Sequence, residues 1–169
     1  MNSISDPARR RLLAATLALP ALALPWRAQA RSQRGPAAAT PVLDFDAAVW
    51  SRLLREGPRP AAYVFTTTYC SSCPVVFELL HAHITATRRQ VELAAVVMDA
   101  QGERALAHAH HYRGCTRLYA FNGFEPEIRY AVDPKWRNIT PYVVLLDPQG
   151  RAQRVIGPPD VARLQAWLA

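Results

Sequence analysis

Cys70-Ser71-Ser72-Cys73 puts two thiols three positions apart, directly after a short apolar run rich in β-formers, Ala61–Thr67, and at the head of an amphipathic helical stretch. Cysteines with this spacing at a helix start are close enough to close a small-ring disulfide. The positive end of the helix dipole then favours the thiolate of the first, which is the form that attacks a disulfide. Cys70 is therefore expected to ionise below the free thiol's ordinary value of about 8.5. Cys73, one turn further in, is expected to keep its proton longer. Pro74 falls in the first helical turn, where a missing N–H costs little.

The same spacing can also form half of a zinc site. Cys115 with His108 or His111 would then complete a set of three cysteines and one histidine, although the chain has no second C-x-x-C. Pro74 rather than a histidine follows Cys73, which excludes covalent haem attachment by motif. Three cysteines are too few and too odd a number for a disulfide scaffold; if Cys70 and Cys73 pair, Cys115 is left over. The cluster His108, His110, His111 is expected to be solvated or to cap a helix. His83, on an apolar stripe, is expected at the edge of the core, bonded to backbone.

Residues 1–30 have the pattern of a cleavable export signal. Arg9-Arg10-Arg11 is its positive region, Leu12–Pro25 its apolar region broken by Pro20, and Ala28-Gln29-Ala30 a small-x-small cleavage site. The paired arginines fit both ordinary secretion and a loose twin-arginine signal, and the segment is too short and interrupted for a membrane span. Its removal leaves 139 residues, the size of one domain. Four arginines and one aspartate go with it, so 16 basic and 12 acidic residues remain, a mild excess of 4. Those basic residues are scattered without an aromatic stripe, so no nucleic-acid partner is expected. Residues 31–43, rich in proline and alanine, form a flexible leader ahead of a domain at 44–169.

Periodicity supplies the elements that must hold the thiols. Asp44–Arg55 reads as a helix stopped by Gly57-Pro58, Ala61–Thr67 as a strand, and the stretch from Cys73 to Gln90 as a helix with Val76, Leu79, Leu80, His83 and Ile84 on one stripe. Val91–Met98 is apolar enough for a strand buried on both faces. Glu103–Tyr112 reads as a helix ending near Gly114. Tyr142–Leu146 and Arg151–Ile156 read as a hairpin about Asp147-Pro148-Gln149-Gly150, and Asp160–Leu168 as a last helix with Val161, Leu164 and Leu168 on one side. Residues 114–140 are too long for a plain connection. Asn122-Gly123 and the alternation of Ile128, Tyr130 and Val132 predict a hairpin or an added strand there.

The order α, β, α, β, α, β, β, α, with Cys70-Ser71-Ser72-Cys73 opening the second helix and Thr140-Pro141 opening the third strand, resembles the thioredoxin superfamily. Within it, the chain is similar to the exported reductases of the TlpA type. The resemblance implies a three-layer α/β/α fold with a central mixed sheet and an insertion before the strand that follows a cis-proline. It implies that Cys70 attacks, that Cys73 resolves the mixed disulfide, that Pro141 is the cis-proline, and that Thr140 lends backbone hydrogen bonds to a bound peptide. Tyr69 stands where many relatives have a tryptophan before the first cysteine, and Val64 where several have a buried acid six positions before it. A proton relay from Cys73 would then fall to Glu78 or a water. Trp136 is expected either near the mouth of the site, shaping partner choice, or with the other aromatics of 114–140 packing that insertion onto the sheet.

A second, weaker resemblance is to the Sco-type copper assembly proteins, which also place a proline after the second cysteine. Their motif has three residues between the cysteines, and their copper histidine falls on Ile139 here. The function these readings favour is a periplasmic thiol–disulfide oxidoreductase. Neither Ser71 nor Ser72 can become cationic, which points to the reducing direction. No cofactor is expected. The implied partners are cysteine-containing exported proteins, among them apocytochromes or copper-assembly proteins, and a membrane thiol electron donor. The alternatives are a copper chaperone holding Cu(I) on Cys70 and Cys73, with Cys115 or His111, and a disulfide-forming oxidase.

Overall fold

The computed structural model describes residues 41–169; residues 1–30, read as an export signal, and most of 31–43, read as a leader, lie outside the described residues. Eleven elements follow in order: β1 Val42–Phe45, α1 Ala47–Glu56, β2 Ala61–Thr66, α2 Cys73–Thr87, β3 Glu92–Val97, α3 Gly102–Ala107, β4 Arg117–Phe121, α4 Glu125–Val132, β5 Tyr142–Leu146, β6 Ala152–Ile156 and α5 Val161–Trp167. The strands make one mixed sheet in the order β1-β4-β3-β2-β5-β6. β1, β4, β3 and β2 run parallel; β5 and β6 are antiparallel to their neighbours.

β2 and β5 have every residue buried, and β3 all but its first. That is why these segments read as unbroken apolar runs: helices cover the sheet on both sides. Alternation sorts each strand's side chains between two cores. Ala62, Val64, Leu93, Ala95, Val143 and Leu145 face Val76, Phe77 and Leu80 of α2 and Leu164 and Trp167 of α5. Ala61, Tyr63, Phe65, Ala94, Val96 and Val144 face the other way, toward Trp50 of α1 and Ile128 and Val132 of α4. The second core is strongly aromatic. Phe65 has the rings of Phe45, Trp136 and Tyr142 around it at 5.5, 5.0 and 6.2 Å.

The structure departs from the sequence reading in four places, each with a local cause. The first helix begins at Ala47 rather than Asp44, because the Asp46 carboxylate caps it, accepting from the Val49 N–H at 2.6 Å. Phe45 and the two residues read as the end of the leader, Val42 and Leu43, instead form β1 along β4. The helix read over Glu103–Tyr112 breaks at His108 into α3 and a 3₁₀ turn at Ala109–His111, and Tyr112 turns in to pack on Phe77 with ring centroids 4.9 Å apart. Gly114 follows at φ +75°, with the His81 ring where a Cβ would sit.

The third and fourth departures fall in the 114–140 insertion. Its strand is β4, which pairs in parallel between β1 and β3 rather than forming a hairpin about Asn122-Gly123. Ile128–Val132 is helical, not extended: Ile128 and Val132 are four apart and both buried, Pro126 sits in the first turn, and Arg129 pairs with Glu125 at 3.0 Å. Tyr130, which alternation had placed with them, is exposed. The β5–β6 hairpin is as read, with Asp147 accepting from the Gln149 and Arg151 N–H groups at 2.9 and 2.8 Å.

Phe65 is the hub of the aromatic core, so Phe65→Ala should cost about 3–5 kcal/mol in urea unfolding of the oxidised protein. Val161→Ala, at a position 69% exposed, should stay within about 0.5 kcal/mol.

Candidate active site

β2 ends at the centre of the sheet, and the chain leaves it through Thr67-Thr68-Tyr69 into Cys70. This short loop is pinned at both ends. The Cys70 N–H donates to the Thr67 carbonyl at 3.1 Å. Thr68 gives its N–H and hydroxyl to the Asp99 carboxylate, at 2.9 Å to Oδ1 and 2.6 Å to Oδ2. Asp99 lies just past β3, the parallel neighbour of β2, so the strand pairing that builds the sheet also sets where the loop is anchored. Sequence reasoning missed Asp99; its only signal was a carboxylate at a strand end, and nothing in the chain pattern paired it with Thr68.

Cys70 and Cys73 are disulfide-bonded, with Cα atoms 5.5 Å apart. Their surroundings differ sharply. Cys73 is the first residue of α2 and wholly buried, sharing a face with Val76, Phe77 and Leu80. Cys70 lies one turn outside the helix and is partly exposed. The Ser72 hydroxyl is 3.8 Å from the Cys70 sulfur, and the first turn of a 15-residue helix faces the same side. Both features favour negative charge on that sulfur. Two apolar groups nearby in the chain are open to solvent: Tyr69, directly before Cys70, is 79% exposed, and Val75, in the first turn of α2, 61%.

The other expected residues fall in two groups. Tyr142 pairs with Phe65 across β5 and β2, so Thr140 and Pro141 arrive at the end of the sheet from which the Cys70 loop departs. The Thr140–Pro141 peptide bond is cis, and the Pro141 carbonyl accepts from the Gly157 N–H at 2.8 Å. Trp136 is instead placed in the aromatic core. It is 5% exposed, stacks on Tyr142 at 4.4 Å, and donates its indole N–H to the Ile139 carbonyl at 3.0 Å. The expectation of a ring at the mouth gives way to one that supports the 137–140 loop from beneath, because the inserted β4 and α4 leave an apolar seat over Phe65. The Tyr142 hydroxyl completes that support by donating to Asp133 at 2.5 Å. Burial works to raise the Asp133 carboxyl, but the Tyr142 hydroxyl and the Lys135 N–H outweigh it, and the net effect is to lower it.

Val64, where a relay acid was sought, is buried among apolar groups. Glu78 is exposed on α2, five residues and about 140° around the helix from Cys73, beside His81 and Arg113. It is not placed to take the Cys73 proton. His83 is where expected, its Nε2–H donating to the Leu164 carbonyl at 3.0 Å. His108 is half-buried and His111 exposed, as the solvated reading has it, and both line the same cavity as Cys70. Among the described residues no three His, Cys, Asp or Glu side chains converge as a metal set. Cys115 packs against the α2-side core and donates its thiol to the Arg117 carbonyl at 2.7 Å.

A disulfide pair opening the helix after the central strand, with Thr-Pro opening that strand's antiparallel neighbour, decides the architecture. The fold is thioredoxin-like. No family model matches the chain, and no curated protein matches it by sequence. Among solved structures it is similar to a secreted Mycobacterium tuberculosis disulfide oxidoreductase homologous to E. coli DsbE, at 16% identity over 64% of this chain and 78% of that one, with a TM-score of 0.46. StoA from Bacillus subtilis aligns at 18% identity over 63% and 80%, TM-score 0.44. A thioredoxin-related protein from Neisseria meningitidis serogroup B aligns at 13% over 67% and 85%, TM-score 0.49. Among the described residues of this thioredoxin-like chain, no helix is long and apolar enough to cross a membrane.

Burial pushes the Cys115 thiol up to about 11, overriding the backbone groups that favour its thiolate. Its pKa being raised, it stays protonated through neutral pH and gains nucleophilicity only as pH climbs toward that value. In the oxidised protein at pH 8, iodoacetamide should modify Cys115 about 10²-fold more slowly than a free cysteine, accelerating with pH up to about 11. Mass spectrometry of the alkylated protein measures this, and Cys115→Ala should leave disulfide exchange unchanged.

Proposed function

We propose that this protein is a periplasmic thiol–disulfide oxidoreductase that reduces disulfides in other exported proteins. The observation that carries the reading is the asymmetry of the pair: an accessible Cys70 at the positive end of α2, disulfide-bonded to a wholly buried Cys73. In the reduced protein the Cys70 thiolate attacks one sulfur of a client disulfide. A bond forms between Cys70 and that sulfur, the client's S–S bond breaks, and the departing client thiolate takes a proton. Cys73 then loses its proton and attacks the Cys70 sulfur, releasing the second client thiol and leaving the Cys70–Cys73 disulfide. Two electrons have passed to the client, and a membrane thiol donor must return them.

The exposed apolar side chains of Tyr69 and Val75 suit an extended client segment around its cysteine, and Thr140, before Pro141, lies where its backbone can bond such a segment. Burial of Cys73 keeps bulky clients from the second sulfur, so each encounter begins at Cys70. Exported apocytochromes and copper-site assembly proteins are the clients this reading favours. The export-signal pattern at residues 1–30 supports the compartment, where disulfides form and exchange.

With Cys73→Ala the mixed disulfide has no resolving thiol, so this variant expressed in its host should accumulate covalent adducts that reductant releases. Cys70→Ala should accumulate none. Non-reducing gels and mass spectrometry of the adducts identify the clients. Equal adduct levels in the two variants, or none in either, would sink the assignment.

A further inference from the structure

Ser71 and Ser72 bring no positive charge to Cys70, but tertiary structure brings two groups that can. A cavity of about 260 Å³ opens against the Cys70 loop, and Cys70 and Pro74 share its lining with His108, His111 and Tyr112. A sphere of that volume would be narrower than the ~10 Å over which 0.1 M salt screens charge. The histidines come from the break after α3, where the 3₁₀ turn and the inward packing of Tyr112 on Phe77 hold them toward the site. Their rings lie 6.0 Å apart, and the His110 ring is 3.8 Å from that of His111. His110 itself is tethered, its Nδ1–H donating to the Ala107 carbonyl at 2.8 Å.

We infer that His108 and His111 are positioning residues for the Cys70 thiolate, stabilising its charge as imidazolium ions across this cavity; this favours the reduced state of the Cys70/Cys73 pair and so moderates the reducing power that the uncharged Ser71-Ser72 motif would leave it. This rests on the thiol-exchange reading of the same site. The other groups facing Cys70 are the N-terminal turn of α2 and the Ser72 hydroxyl, which act in the same sense, and the Tyr69 and Tyr112 phenols. Asp99, engaged by Thr68, opposes the thiolate while favouring charged imidazoles; Arg104 lies in the neighbouring cavity with Asp99, and Arg113 in another beside Glu78. Histidine is the side chain whose charge changes between pH 5 and 8, so the coupling operates in the range of an exported enzyme. By linkage it is mutual: a thiolate at Cys70 holds protons on the imidazoles as firmly as they hold its charge. The potential of the pair is then set by residues outside the motif as well as by the two serines within it.

The test follows the thiolate's ultraviolet absorbance against pH in reduced protein. Replacing His108→Asn and His111→Asn together should move the Cys70 titration up by about one pH unit, a tenfold smaller thiolate fraction on its acid side. The equilibrium with glutathione should move about tenfold toward the oxidised protein. His111→Lys should restore the thiolate, and His81→Asn, in a different cavity, should leave the titration in place. Independently of any substitution, proton NMR of the native chain should show the His108 and His111 rings keeping their protons to higher pH in the reduced protein than in the oxidised one. A double variant that titrates like its parent, or imidazoles indifferent to the redox state, would overturn the inference. A shifted titration together with failure of Cys73→Ala to trap any client would uphold it and remove the reductase assignment instead.

Discussion

The packing of one face of α2 onto the sheet determines what each sulfur can do. Val76, Phe77 and Leu80 drive that face inward, with Ala62, Val64, Leu93 and Val143 beneath them. Burying a large apolar side chain stabilises the fold by about 1.5–3 kcal/mol, so the helix has little freedom to roll or lift. Cys73 shares this face and goes in with it; Cys70, one turn before the helix, stays partly out. Two chemically identical thiols thus differ in access through position alone, one wholly buried and one partly exposed. The same packing points the first-turn N–H groups of α2 at the loop that carries Cys70.

The parallel pairing of β2 with β3 adds a second constraint. It sets Thr66 beside Val97, and Asp99 follows at the point where Thr68 needs an acceptor. The antiparallel pairing of β2 with β5 brings Thr140 and Pro141 to the same end of the sheet. Phe65 sits at the register position that serves both pairings, and beneath it the rings of Trp136 and Tyr142 brace the loop carrying Thr140. A single strand therefore leads into Cys70 and registers the segments on either side of it. This explains why the aromatic core is concentrated at that end of the sheet, and why Trp136 contributes through support and not through contact with solvent.

Most of this arrangement was legible where local pattern and tertiary environment agree. β2, β3 and β5 are buried on both faces, so their apolar runs could mean little else, and the Cys70–Cys73 spacing at a helix start carried its own chemistry. Legibility failed where a short polar residue resets the backbone: Asp46 caps α1 and releases Phe45 to a strand, a change that periodicity alone does not register. It failed again at Ile128–Val132, where residues two apart alternate and residues four apart also match, and where Pro126 and Glu125 favoured a helix. The groupings that refine the site, the Thr68–Asp99 hydrogen bonds and the cavity that Cys70 shares with His108 and His111, join segments far apart in the chain. No spacing rule encodes them.

Supplying charge to a cysteine through space differs physically from supplying it within the motif. A cationic residue between the two cysteines moves with the loop and meets every client at the contact surface, so it alters recognition and potential together. His108 and His111 are held by the α3 break and by Tyr112 on Phe77, and they meet Cys70 across a cavity. The serines between the cysteines then remain small and exposed, leaving the approach to Cys70 open beside Tyr69 and Val75, while its electrostatics are governed from the flank. Three residues apart, His108 and His111 would share a face in an unbroken helix as well; what the break at His108 adds is the inward turn of Tyr112 onto Phe77, which seats the segment carrying both imidazoles against the cavity that Cys70 lines.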